Sequence, residues 1–512
     1  MGLSFRRKLL LSALGLSALA VPVLAVPWFG KRRLYSRRSL SRLPGPYIFP
    51  PGFLWGTATA AYQIEHTQDD DWAAFERDVL AEHRVQHIAP GQAKPGHIYK
   101  LADVSAEVRA KKTDFDARIE ADLEMAHAMK HNAYRFSISW SRLFPRPDLT
   151  EPDPAGIAFY RRIFDALAKF QMRPVVTLFH FVSPAWFFAE QGGKRGFERE
   201  DALEHVLRFV RAVAKHFGGD CDLWCTFNEP MVYAYAGYLE GIFPPLERRG
   251  GPKAIVPVLT QLLRAHALAY RVLKEDAARR GKRALVGIAQ HVRVFHPLRN
   301  HHPLDRITAE MIEQAFVWDF LDALRTGILR SRVMGVEQTI SGLAGTQDFV
   351  GLNYYGRFYV KSDLLRPTQF EVKMHDDRNP AADRPSELGW ASYPQGLRET
   401  LLRAHTQFGL PIYILENGTA DSKDDDADRQ RNLVEHVREM FLASRDGADV
   451  RGYFHWSLLD NFEWAEGFTA RFGLVKVDYE NNFTRIPRPS AALYSKIIDA
   501  NGLNDLLIEQ AR

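Results

Sequence analysis

Cysteine is almost missing from this chain: its 512 residues include Cys221 and Cys225 and no others. Two thiols four positions apart exclude a disulfide framework, and a zinc site would need ligands of other kinds. They read as buried thiols entering a strand. No low-complexity tract or solenoid period occurs, so neither a disordered scaffold nor a repeat array is expected. Apolar residues at 46% and charged residues at 25% are ordinary for a folded protein. Acid is absent from the first 42 residues, which hold nine Lys and Arg; the remainder has 58 basic against 62 acidic residues, a balance of −4 in place of +5. The basic excess therefore belongs to the N-terminus, and a nucleic-acid-binding reading loses its support.

What is present begins with an uncharged apolar run, Leu9–Phe29, flanked by Arg6, Arg7 and Lys8 before and by Lys31, Arg32, Arg33, Arg37 and Arg38 after. Its 21 residues match the roughly 20 that cross a bilayer as helix. A cleaved signal fits Val23-Leu24-Ala25. The basic segment that follows opposes translocation, so an uncleaved anchor with the enzyme facing the cytoplasm is the favoured expectation, and export after cleavage the alternative. The expected organisation is a leader at 1–30, a basic, Pro-rich linker at 31–51, one domain at 52–500 and a tail at 501–512.

Within the domain, short apolar runs alternate with amphipathic stretches. The runs at 53–60, 133–140, 173–180, 223–229, 284–291, 348–355, 411–418 and 452–460 read as strands. Stretches at 117–130, 157–170, 202–217 and 395–408 have apolar residues three and four apart and read as helices. Near-continuous apolar strands alternating with helices indicate a parallel sheet covered by helices. Eight of them point to an α/β fold of one closed (β/α)8 barrel (TIM barrel), whose site lies at the strands' C-terminal ends.

Those ends carry polar and aromatic residues that a barrel core would not tolerate without partners. Gln63 follows the first run, Arg135 lies in the second, and His180 ends the third. Asn228 and Glu229 end the fourth, Tyr354 and Tyr355 the sixth, and Glu416 and Asn417 the seventh. Trp456 lies on the eighth, with Glu463 and Trp464 in its loop. Opposed carboxylates, here Glu229 and Glu416, are what glycosidic bond cleavage needs: one protonated to release the leaving oxygen, one ionised to meet charge at the anomeric carbon. A cation such as Arg135 would hold one of them ionised. His296, His301 and His302 cluster in sequence, yet no metal site is expected there. The acidic run at 421–429 reads as a solvated loop leading into a helix.

The stretches "YQIE" (62–65), "TFNEP" (226–230), "ILENG" (414–418) and "WSLLDNFEWAEGF" (456–468) resemble, in family order, the retaining β-glycosidases of glycoside hydrolase family 1. The resemblance runs from about Phe53 to Tyr494. It implies a single barrel, no metal or organic cofactor, and a covalent glycosyl-enzyme. By the same resemblance Glu229 would be the general acid/base and Glu416 the nucleophile. Gln63, His180, Asn228, Glu463 and Trp464 would bind sugar hydroxyls, and Trp456 would lie under the ring. Tyr355 and Arg135 would hold Glu416 ionised and aimed. Asn353 would join that nucleophile support, and Phe472 would back the substrate pocket. The chain departs from the family at "HFVSP" (180–184), where Phe181 stands for a Trp and the following acid is missing, and at His66, where Gly is usual. A charged Glu463 would repel a phosphate, which opposes phospho-β-glycosides.

Three functions follow as expectations. The first is hydrolysis of terminal β-D-glucosyl or galactosyl residues. The second is membrane-anchored transfer of a β-glycosyl group to a lipid-linked acceptor, motivated by residues 9–29. The third is a silent sugar-binding protein, which both carboxylates argue against. The expected partners are a β-glycoside and a membrane, with no nucleic acid; the oligomeric state is not legible.

Overall fold

The computed structural model describes residues 46–84, 88–363 and 370–510. Eight strands form the barrel: β1 (Leu54–Ala58), β2 (Ala133–Ser137), β3 (Arg173–Phe179), β4 (Leu223–Asn228), β5 (Leu285–Pro297), β6 (Val350–Ser362), β7 (Ile412–Asn417) and β8 (Val450–Trp456). Every neighbouring pair is parallel, and the β8–β1 pairing closes the ring. Helices α1 (Phe115–Ala128), α2 (Pro154–Lys169), α3 (Ala202–Phe217), α4 (Val256–Arg279), α5 (Asp319–Thr326), α6 (Pro394–Phe408), α7 (Ala427–Arg445) and α8 (Pro489–Asp499) each follow one strand. All eight expected strands and all four expected helices are present.

The strands read as near-continuous apolar runs because both faces are covered. Inside the barrel, Leu54, Ala133, Val175, Leu223, Cys225, Ala289, Leu415 and Phe454 pack on one another. Outside it, a larger core lies between strands and helices, reaching α2 through Phe159, Tyr160, Ile163, Phe164 and Leu167. That helix starts where Asp153 accepts from the amides of Ala155 and Gly156, with Pro154 at its first turn, where a missing N–H costs nothing. Cys221 and Cys225 are buried free thiols.

The N-terminal end of the barrel is closed by chain expected to be linker and tail. Tyr47–Ile48 pair antiparallel with Gly502–Leu503, and the Asn501 side chain donates to the Phe49 carbonyl and accepts from the Trp55 indole. The described chain therefore enters at the end of the barrel away from the strand ends that carry Glu229 and Glu416. The acidic run at 421–429 does lead into α7, but Asp421 and Asp426 are buried rather than solvated: Asp421 accepts from the amides of Asp428 and Arg429, and Asp426 pairs with Arg429. The expected anchor, Leu9–Phe29, lies outside the described residues. Among the described residues no helix is long and apolar enough to cross a membrane.

Candidate active site

The stretch "TFNEP" shows how the fold presents a carboxylate. Leu223–Asn228 are buried in β4, and the chain then breaks at Glu229, whose backbone is left-handed at φ 46° and ψ 58°. Only its amide is still held by the sheet, donating to the Ala289 carbonyl at 2.7 Å. Pro230 opens the helix Pro230–Tyr238. A non-glycine residue at positive φ is strained, and such strain collects at functional sites. Glu416, the last residue but one of β7, is likewise a buried acid, and both carboxylates sit at C-terminal strand ends.

A ring of hydrogen bonds joins them. Arg135 Nη1 donates to Glu416 Oε1 at 2.6 Å, and its Nη2 donates to Asn228 Oδ1 at 2.7 Å. Asn353 Nδ2 donates to that same Asn228 oxygen at 3.0 Å and to Glu229 Oε1 at 2.8 Å. His291 Nδ1 meets Glu229 Oε1 at 2.9 Å, and Arg293 Nε donates to His291 Nε2 at 3.3 Å. Arg293 Nη1 donates to the Tyr355 carbonyl at 2.7 Å, and the Tyr355 hydroxyl returns to Glu416 Oε2 at 2.8 Å. Five strands, β2, β4, β5, β6 and β7, contribute.

The two acids have different company. Arg135 is a permanent cation on Glu416, whereas Glu229 touches the amide of Asn353 and the ring of His291. Burial raises Glu416 to about 7, against the pull of Arg135 and with the charge of Glu229 adding to it. Burial lifts Glu229 too; a charged His291, together with the Asn353 amide and the charge of Arg135, would draw it below its ordinary range. The hydrogen bonds favour an uncharged ring. Arg293 donates to Nε2, so that nitrogen is an acceptor and the ring proton sits on Nδ1, facing Glu229. With a neutral His291 the single proton shared by the pair goes to Glu229, and the part of the upward push on Glu416 that comes from the charge of Glu229 vanishes.

Beside the acids, several buried polar atoms have no partner: Gln63 Oε1, His180 Nδ1 and Asn353 Oδ1. Such atoms are costly in a folded chain unless something else meets them. Gln63 Nε2 is spent on Asn461 and the Phe462 carbonyl, and it lies 3.4 Å from Glu463. Asn228 Nδ2 donates to His180 Nε2 at 3.1 Å, and burial holds that imidazole neutral, so Nδ1 carries a proton with nowhere to go. The Trp456 and Trp464 rings each lie 5.9 Å from His180, near-parallel to it, and Phe472 packs against Tyr355 and Trp390. Donors, acceptors and aromatic faces suit a polyhydroxylated ring. A separate crevice of about 660 Å³, lined in part by Arg357, Arg378, Arg384 and Arg398, lies apart from these groups, and its four arginines are paired with acids.

The model of the family described as glycosyl hydrolase family 1 matches residues 46–503. The chain belongs to this family. It is 33% identical to "Beta-glucosidase A" of Thermotoga maritima over 474 residues, with 89% of this chain and 99% of that protein covered. It is 30% identical to "Beta-galactosidase" of Pyrococcus woesei, covering 90% and 99%. Among solved structures, "beta-glycosidase from Pyrococcus horikoshii" is 36% identical with a TM-score of 0.77, covering 91% of this chain and 98% of that one.

Gln63, Arg135, His180, Asn228, Glu229, Asn353, Tyr355, Glu416, Trp456, Glu463, Trp464 and Phe472 are thus all at this end of the family's barrel. One expectation is corrected: Asn353 does not support Glu416. It is paired with Glu416 in the β6–β7 register, but its side chain reaches Asn228 and Glu229. Tyr354 points out of the barrel and donates to the Tyr393 carbonyl, as strand alternation requires of the residue beside Tyr355. Glu463 differs as well. Burial and the charges of Glu416 and Glu466 raise it to about 8, so near neutral pH it is an uncharged carboxyl and does not by itself repel a phosphate. Near the position after Phe181 where the acid is missing, Asp71 accepts from the Ser183 amide. His66 faces Asp114 and Asp116. Sequence reading passed over His291 and Arg293; the first ends an expected strand, and the second lies past it because β5 runs on to Pro297.

Proposed function

We propose that the chain is a retaining β-glycosidase that removes terminal β-D-glucosyl or β-D-galactosyl residues. The observation that carries this reading is the asymmetry of the two buried carboxylates, one on Arg135 and Tyr355, the other on Asn353 and a neutral His291. Glu416, held ionised, attacks the anomeric carbon while Glu229 gives its proton to the departing oxygen; Glu229 then takes a proton from water, which displaces Glu416 from the sugar. Gln63, His180, Asn228, Glu463 and Trp464 meet the hydroxyls, Trp456 lies under the ring, and Phe472 backs the pocket. Glu416→Gly is expected to abolish hydrolysis of an aryl β-glucoside, with azide restoring part of the turnover and giving the α-glycosyl azide. Undiminished hydrolysis by that variant sinks the assignment.

The apolar run Leu9–Phe29 with its basic flanks favours a second element of the reading, attachment to a membrane with the domain on the cytoplasmic side. The same run motivates glycosyl transfer to a lipid-linked acceptor in place of water. The described chain enters at the barrel end away from the carboxylates, and no observation on the described residues points to a lipid acceptor. Hydrolysis of a soluble glycoside is the lead reading. Products formed from a galactolipid in vesicles separate the two: free sugar alone excludes transfer, and a digalactosylated lipid excludes simple hydrolysis.

A further inference from the structure

Arg293 is 1% exposed, yet its hydrogen bonds go to a neutral ring and a backbone carbonyl, and among the described residues none of its ion pairs involves a carboxylate. Burial draws its guanidinium down to about 9. A buried cation without a counter-ion is poor for stability, and an apolar side chain of similar volume would serve the fold as well or better. The guanidinium instead lies over aromatic rings, 4.2 Å from the centre of Trp390 and 4.6 Å from that of Phe358.

The backbone is shaped around it. Along β5 and β6 the register runs from Val292 opposite Tyr354 to Val294 opposite Arg357, so Tyr355 and Gly356 together face Arg293. Gly356 has φ 115°, and a Cβ there would lie 2.1 Å from the Ala391 carbonyl oxygen, so the irregularity requires glycine. This turn of the chain presents the Tyr355 carbonyl to Arg293 while the Tyr355 hydroxyl reaches Glu416. His291 and Arg293, two apart on one strand, face the same side.

We infer that Arg293 is a positioning residue for Glu229, fixing through His291 which oxygen of that carboxyl carries the catalytic proton. The inference rests on the acid/base and nucleophile assignments above. Its logic is local. Arg293 occupies His291 Nε2, so Nδ1–H donates to Glu229 Oε1, and Asn353 donates to the same atom. An oxygen that accepts two hydrogen bonds is the one without the proton, which leaves Oε2 as the donor to the departing group. The other charged or titratable groups that act on this chain are Arg135 from β2, Tyr355 from β6, Glu416 from β7 and Glu463 from the loop after β8. Without Arg293, His291 Nε2 is free to take a proton, and an imidazolium on Glu229 would keep that carboxyl ionised and useless as an acid.

The test compares wild type, Arg293→Met, Arg293→Lys, His291→Gln and the Met/Gln double variant on 2,4-dinitrophenyl, 4-nitrophenyl and phenyl β-glucosides. A dinitrophenolate leaves without a proton, whereas a phenolate needs one, and general acid catalysis is worth about 100-fold or more. Arg293→Met is expected to keep kcat/KM for the dinitrophenyl substrate within about threefold and to lose about 100-fold on the phenyl one. The alkaline limb of its pH profile moves to lower pH, and the melting temperature holds or rises. In the His291→Gln background the Met substitution causes no further movement of that limb. Arg293→Lys, which keeps the buried charge but not the fork, folds and shows the same leaving-group trend if the Met variant does not fold. An equal loss on all three substrates with an unmoved limb overturns the proposal. A wild type inert on every β-glycoside overturns instead the functional reading on which it rests.

Discussion

Replacing Arg135 by Met removes the permanent cation that, among the described residues, pairs with Glu416. The guanidinium is 1% exposed and lies 2.6 Å from Glu416 Oε1, with further bonds to Asn228 and Thr177. For a pair about 4 Å apart at an effective dielectric constant near 20 the attraction is about 4 kcal/mol, or about three pKa units. Burial already pushes Glu416 up, against the pull of Arg135. Without it Glu416 stays protonated well above neutral pH, and a protonated carboxyl is no nucleophile. The expected result for Arg135→Met is a loss of about 10³ in kcat/KM at pH 7, with the ascending limb of the pH profile shifted up by about two to three units. Activity then climbs about tenfold per pH unit until Glu229 ionises. The assay is kcat/KM for 4-nitrophenyl β-glucoside from pH 5 to 10, at constant ionic strength. The stability sign agrees: a carboxyl raised in the folded state favours folding below its unfolded value, and that gain is lost as pH rises through the folded value. The variant therefore melts at progressively lower temperature than wild type as pH rises. A loss of the same size at every pH, with the ascending limb unmoved, refutes the reasoning, because it would mean that Arg135 only shapes the site.

Two further outcomes are expected. Asn353→Ala removes a donor from Glu229, so its loss in kcat/KM grows as the leaving group becomes poorer, reaching about 10²-fold on a phenyl glycoside; equal losses on all leaving groups would tie Asn353 to Glu416 after all. Glu463 is raised to about 8, so it contributes stability below its unfolded value and loses that contribution as pH rises through 8. Glu463→Gln should flatten the fall of melting temperature between pH 5 and 9 and leave KM for an aryl glucoside within about threefold at pH 6; an unchanged slope would show Glu463 to be ionised throughout.

The barrel could be read from sequence because a strand covered on both faces has to be an apolar run, and each run stops where the chain leaves the core. The site could be read from the same boundaries, since Glu229, Glu416 and His180 stand where burial without partners would be punished. What escaped follows from geometry that composition does not encode. Nothing in "GLNYYG" tells Asn353 to reach Asn228 and Glu229 in place of its register partner on β7. Arg293 escaped because a charged residue past the end of an apolar run reads as solvated, whereas here Trp390, from a loop about a hundred residues on, and Phe358 cover it. Tyr354 and Tyr355 are alike in sequence, and strand alternation alone separates the one that bonds Tyr393 from the one that bonds Glu416.

The central claim is that Glu416 forms a bond to the sugar while Glu229 manages the proton. Incubation with 2,4-dinitrophenyl 2-deoxy-2-fluoro-β-D-glucoside, followed by peptide mass spectrometry, tests it most directly, because the fluorine slows both steps and the good leaving group restores only the first. The account predicts stoichiometric release of dinitrophenolate, inactivation, and one fluoroglucosyl group on Glu416. Label on Glu229, or dinitrophenolate release by the active enzyme with no covalent adduct, would contradict it.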